Sequence, residues 1–297
     1  MSCPLLQESR VKYCGKSACR KMIPIAGNVA QEICSTPRYR GCSVYSPFAE
    51  NSGGTHCPYL RESAAQSCAA AAVPRFIPCS EPALSRCGSD SYRYCDVYLG
   101  AGRTAQAALE SDASGGGIRV PARLFYTRNH MWLDLAQGGA CHLGVDAFLT
   151  RVLGAVERIT FLRQTGVHRP SAVLTARGMD LEVIFPAPLL LNASNLYLGA
   201  SPARVTADPY GLGWLFEGVE LPGQPPVTSG LIGGAAAAPW MDREIGRLSA
   251  FLAECWVSRR GGHLMNDGGV FNPGVIARLS REEALRLFHE FFWGLGA

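Results

Sequence analysis

Hydrophobic and polar positions change their rhythm twice along this chain. From Ile118 to about Glu220, short apolar runs rich in Val, Leu, Ile and Phe alternate with Gly, Pro and Asn turns. Examples are Arg158-Ile159-Thr160-Phe161-Leu162, Ala172-Val173-Leu174-Thr175 and Glu182-Val183-Ile184-Phe185-Pro186. Such runs predict strands of a compact, mostly β domain spanning 118–221. After Pro239 the period lengthens. Trp240, Met241, Ile245, Leu248, Phe251, Leu252, Cys255 and Trp256 recur at helical spacing. Ser280 with Glu283 then forms a capping-box signature ahead of Leu285, Phe288, Phe291, Phe292 and Leu295. Residues 239–297 therefore read as a helical extension. The Gly-rich stretches Gly100–Gly117 and Pro222–Ala238 read as linkers.

Residues 1–99 contain an internal repeat, with copies at 1–50 and 51–99. Cys3-Pro4-Leu5-Leu6-Gln7-Glu8-Ser9 matches Cys57-Pro58-Tyr59-Leu60-Arg61-Glu62-Ser63, and Tyr39-Arg40-Gly41-Cys42 matches Tyr92-Arg93-Tyr94-Cys95. The cysteine spacing is C-x10-C-x19-C-x7-C in one copy and C-x10-C-x18-C-x7-C in the other. Pro after Cys suits the first position of a helix, so these repeats are expected to be mainly helical or irregular. The fold class expected is α+β and multidomain: the cysteine repeats, a β domain, and C-terminal amphipathic helices.

Ten of the twelve cysteines precede residue 96, which in a reducing compartment points to metal or redox chemistry. The matched set is Cys3, Cys14, Cys34 and Cys42, then Cys57, Cys68, Cys87 and Cys95; Cys19 and Cys79 fall outside it and could replace a ligand. Three readings stay open. Each repeat holds an iron–sulfur cluster, in which case two, of the 4Fe–4S kind, are expected. Alternatively each holds zinc, or the thiols are structural or disulfide-bonded. No C-x2-4-C knuckle occurs within the matched set, which weighs against zinc. A single helix from Cys3 to Cys14 would set those thiols ~16 Å apart, too far for one site. The helix must stop early, or Cys3 must fold back.

The net charge of +4 with scattered arginines gives no nucleic-acid footprint. Gly230–Ala238 is far shorter than the ~20 residues of a membrane span. No basic-then-apolar leader follows Met1, which favours the cytoplasm.

The β region resembles the H protein of the glycine cleavage system. The residues that carry the likeness are His130-Met131-Trp132, Gly144-Val145-Asp146-Ala147-Phe148, Leu153-Gly154, and Asp208-Pro209-Tyr210-Gly211-Leu212-Gly213-Trp214-Leu215. The resemblance implies a lipoyl-domain-like barrel-sandwich hybrid. It also implies a lipoyl-lysine turn, which falls here on Gly178, or on Arg177 if the turn differs by one residue. The chain has three lysines, Lys12, Lys16 and Lys21, and none follows. A guanidinium stays charged and cannot be acylated as an amine is, so no lipoate is expected. His130 is expected to be a packed structural residue, and the adjacent Cys141 and His142 too few to hold a metal.

The expected function is a non-catalytic electron-transfer or accessory subunit of a larger complex, its partner a redox enzyme. The alternative is a zinc-stabilised scaffold or adaptor without a redox role. An enzyme centred on the spare thiols Cys19 and Cys79 ranks third. Trp240, Phe288, Phe291 and Phe292 are the candidate partner-docking residues.

Overall fold

The computed structural model describes residues 2–16, 22–23, 33–45, 54–70, 75–77, 86–102, 113–115, 117–260 and 273–293. The chain divides into two compact units, Met1–Tyr92 and Arg93–Ala297. Among the described residues no helix is long and apolar enough to cross a membrane.

The first unit is built on strands, which corrects the helical expectation. Strands β1 (Leu6–Cys14), β2 (Met22–Ile23), β3 (Leu60–Cys68) and β4 (Arg75–Ile77) form one antiparallel sheet in the order β2-β1-β3-β4. Each Cys-Pro opens a turn instead of a helix: Leu6 N–H donates to Cys3 O and Leu60 N–H to Cys57 O, both at 3.0 Å. The strand then starts at once, and the equivalent strands of the two repeats pair along their whole length, from Leu6↔Cys68 to Cys14↔Leu60. Long-range pairing between repeats thus overrides the local helix signal. Among the described residues of this unit the buried hydrophobic side chains are Cys3, Val11, Tyr39, Cys57 and Tyr92.

The second unit begins inside the second repeat, with Arg93. Helix α1 (Asp96–Gly102) follows, and Arg204 anchors it through an ion pair to Asp96 at 3.0 Å. Part of the expected linker is ordered as β5 (Ala113–Gly115), paired with β6 (Ile118–Val120), since backbone pairing asks nothing of small side chains. Then come β7 (Phe125–Tyr126), β8 (Met131–Leu135), β9 (Ala140–Val145), α2 (Ala147–Leu153), β10 (Arg158–Phe161), β11 (Gly166–His168), β12 (Ser171–Ala176), β13 (Met179–Ile184) and β14 (Leu189–Ser194). Short helices α3 (Tyr197–Ala200) and α4 (Arg204–Ala207) lead to β15 (Phe216–Val219) and β16 (Ile232–Gly233). The strands form a seven-stranded antiparallel sheet, β11-β14-β15-β9-β8-β7-β16, and a three-stranded one, β10-β12-β13.

Helices α5 (Ala237–Arg260) and α6 (Arg281–Phe291) complete this unit. The capping box is formed: Glu283 N–H donates to Ser280 Oγ at 3.2 Å, and Ser280 N–H to Glu283 Oε2 at 2.7 Å. The helices are no separate extension, because their aromatic residues enter the same core as the strands. Trp240, Phe288, Phe291 and Phe292 are buried, which corrects their assignment as docking residues. Their apolar area is already covered by the chain's own strands and helix α2. Large apolar side chains that stay exposed include Val167, Leu190, Leu196, Tyr197 and Trp293.

Candidate functional site

Three places carry candidate chemistry. The first is the hairpin tip between β12 and β13. Ala176 pairs with Met179, leaving Arg177 and Gly178 as a two-residue turn with φ of 52° and 66°. Two positive φ values are what a tight hairpin of right-handed strand twist requires. Both candidate lipoyl positions therefore sit at the tip, and neither is an amine. Gly178 N–H donates to Glu157 Oε2 at 3.3 Å. The Arg177 guanidinium reaches back to the turn ahead of α6, donating to the carbonyls of Ile276 and Leu279. In place of a swinging arm, this tip carries a strut fixed to the same unit.

The second place is His130. Its ring is stacked on Phe148 with centroids 4.2 Å apart and on Trp240 at 5.0 Å, and it has no exposed surface. Nδ1 lies 2.8 Å from Asp146 Oδ2, while the other oxygen of Asp146 caps α2 by accepting from Leu149 N–H at 2.9 Å. Across the ring, Nε2 faces Glu244 Oε2 of α5 at 3.7 Å. Burial lowers the His130 pKa, but the Asp146 carboxylate and then Glu244 outweigh it, and the net direction is up. Burial raises Glu244, whereas His130 and Arg247 at 2.6 Å bring it down on balance. The sequence showed no acid beside His130; the structure supplies two. The signal for Asp146 was its N-cap position, but nothing local ties Glu244, 114 residues on, to this ring. A ring sealed under two aromatic side chains meets no substrate, and its role is to join α5 to the strands.

The likeness-bearing motifs act structurally as well. Trp132 Nε1–H donates to Val145 O and Pro209 O, each at 3.0 Å. Gly144 lies beneath that indole: a Cβ there would stand 2.6 Å from the ring. Tyr210 Oη accepts from Ala147 N–H and donates to Arg119 O, both at 3.0 Å. Asp208 Oδ2 accepts from Leu212 N–H at 2.9 Å and holds the glycine turn. Cys141 is buried, and burial, then Glu220, pushes its thiol up to about 12, so it stays protonated and inert. His142 stacks on Tyr94 at 4.0 Å, and its Nε2 faces Glu217 Oε2 at 3.7 Å.

The third place is the cysteine repeats, and here the structure regroups the cysteines. The nine residues of β1 span roughly 30 Å, so Cys3 and Cys14 lie at opposite ends of the sheet. They cannot share a site, which corrects the grouping by repeat. Cys57 lies instead at the Cys14 end, where its N–H donates to Cys34 O at 2.8 Å. The pattern recurs at the other end, where Cys3 N–H donates to Cys87 O at 2.8 Å and Cys68 is paired with Leu6. Cys95 belongs to the second unit, where its carbonyl accepts from Leu99 N–H at 2.9 Å. Among the described residues, no group of three or more His, Cys, Asp or Glu is arranged as it stands to hold a metal ion. Cys19 and Cys79 lie outside the described residues.

No family model matches the chain. It is 30% identical over 102 residues to the glycine cleavage system H protein of Thermus thermophilus, covering 33% of this chain and 78% of that relative. The H protein of Aeromonas hydrophila is 28% identical over 101 residues, with the same two shares. Among solved structures, the crystal structure of an H protein from Mycobacterium marinum is 22% identical, with a TM-score of 0.35. The match covers 43% of this chain and 99% of that one.

Proposed function

Because the chain belongs to the glycine cleavage H-protein family through about a third of its length, yet has no lysine beyond Lys21, we propose that it is a non-catalytic accessory protein. On this reading the H-like region is a scaffold without lipoate. The first unit is an adaptor module braced by thiolate-bound metal, and zinc is the ion favoured.

The observation that carries this reading is the cysteine distribution in the first unit. Few apolar side chains are buried among the described residues of this unit, a small fold of that kind is held by cross-links, and cysteines sit at both ends of the sheet. The spacing also bears on the kind of metal. Roughly 30 Å of strand separates the two ends, too far for direct electron exchange between them, so bracing fits better than a two-centre relay. The exposed pair Leu196 and Tyr197 on the second unit offers apolar surface to a protein partner.

One observation keeps an electron-transfer subunit as a second reading. The eight matched cysteines form no C-x2-4-C knuckle of the kind structural zinc sites use, Cys14 having that spacing with the unmatched Cys19 alone, whereas iron–sulfur clusters accept dispersed thiolates. Purification without oxygen, followed by assay of zinc, iron and acid-labile sulfide, decides between them. Colourless protein with stoichiometric zinc supports the adaptor. Iron with matching sulfide replaces it with the electron-transfer reading, and protein free of all three overturns both.

A further inference from the structure

The geometry points to a single metal centre made by both repeats: Cys14, Cys34 and Cys42 of the first, completed by Cys57 of the second. This rests on the metal-braced reading above and specifies its ligands.

Four segments meet at one end of the sheet. The antiparallel register sets Cys14 opposite Leu60, and Gly15 N–H donates to Tyr59 O at 2.8 Å. That fixes the end of β1 against the Cys57–Leu60 turn. Cys34 accepts directly from Cys57 N–H at 2.8 Å. The turn before Cys42 closes through Cys42 N–H to Tyr39 O at 3.0 Å. Tyr39, fully buried, donates its hydroxyl to Gly54 O at 3.3 Å, just upstream of Cys57. Tyr45, which follows Cys42, packs on Tyr39 and Tyr59 with ring centroids 5.0 and 6.3 Å apart. The segments bearing Cys14, Cys34 and Cys42 are thus each tied to the Gly54–Leu60 stretch of the other repeat, which bears Cys57.

The chemistry agrees with the placement. All four are thiols and not half-cystines. The backbone contacts bring the four cysteine-bearing segments to one end of the sheet, where a bound cation would draw their thiolates together as ligands. Four thiolates form the tetrahedral set of a structural Zn²⁺ site. Since the sulfurs must close around the ion, binding and the folding of this end are one process. Sharing Cys57 also explains the duplication. The first repeat alone supplies three of the four ligands, so it completes no site without its mate.

The test uses the full-length chain loaded with Zn²⁺, and reads alkylation of each cysteine by mass spectrometry in Cys57→Ser and Cys3→Ser variants. The shared centre predicts that Cys57→Ser speeds alkylation of Cys14, Cys34 and Cys42 by about 10- to 100-fold, while Cys3→Ser leaves them protected. The reverse pattern overturns it in favour of one site per repeat. A second arm needs no variant. After zinc removal, wild-type protein is oxidised mildly and its disulfides are mapped. Cys57 bonded to Cys14, Cys34 or Cys42 is expected; Cys3 bonded to any of those three, or Cys57 to none, overturns the proposal. Failure of wild-type protein to bind Zn²⁺ at all strikes the metal-braced reading itself, a result distinct from either pattern.

Discussion

Arg177, at the tip of the β12–β13 hairpin, donates its guanidinium to the carbonyl of Ile276, ninety-nine residues later in the chain. The same group reaches the Leu279 carbonyl at 3.4 Å. An acylated lysine at a lipoyl turn must swing; this arginine is held. Arg177→Ala should therefore cost about 1 kcal/mol, because charged hydrogen bonds are lost from a site that water still reaches. Urea unfolding measures the cost. Limited proteolysis should also show faster cleavage near 275–279, and unchanged stability with unchanged cleavage would contradict the strut.

The hairpin also sets an expectation for lipoylation. A Cβ at Gly178 meets nothing within 4 Å, although φ is 66° there. Gly178→Lys should fold with a penalty of ~1–2 kcal/mol for the left-handed backbone and present a free amine at the tip. Incubation with a lipoate ligase, lipoate and ATP should leave the wild type unchanged in mass and add one lipoyl group to the variant. A lipoylated wild type would refute the loss of carrier chemistry.

His130 and Glu244 predict a pH dependence. The His130 pKa lies above its ordinary 6.5 in the folded state. Its contribution is therefore complete below pH 6.5 and is lost as pH rises through the folded value. The Glu244 pKa lies below its ordinary 4.5, so its contribution is complete above pH 4.5 and fades as pH falls through the folded value. Between those limits both act in full. The stability difference between the wild type and His130→Gln should be largest in that window and should shrink towards pH 9. Thermal unfolding of the two proteins across pH 5–9 measures it, and a difference independent of pH would contradict the ion pair.

How far these features could be read beforehand depended on the range of the interactions involved. The strand runs of the β domain, the Ser280–Glu283 box and the Asp208–Leu215 turn are set by neighbours a few residues apart, and each was visible in the sequence. The repeat was visible too, but its pairing was not. Cys-Pro is equally compatible with a helix start and a turn, and only the β1–β3 ladder decides between them. Once that ladder forms, Cys3 and Cys14 separate and Cys57 comes to the Cys14 end. The aromatic stripes of α5 and α6 were legible as apolar faces, but not as faces already covered. Glu244 lay out of reach for the same reason, since its meeting with His130 depends on how α5 packs on the strands.

The most direct test of a metal-braced first unit is backbone amide exchange in the full-length protein, before and after removal of metal by a chelator. The account predicts that stripping the metal abolishes protection across Leu6–Cys14 and Leu60–Cys68, a ladder in which Val11 is the one buried aliphatic side chain among the described residues. Met131–Leu135 and Ala140–Val145, held by a continuous hydrophobic core, should keep theirs. Full protection of both β1 and β3 without metal would contradict it.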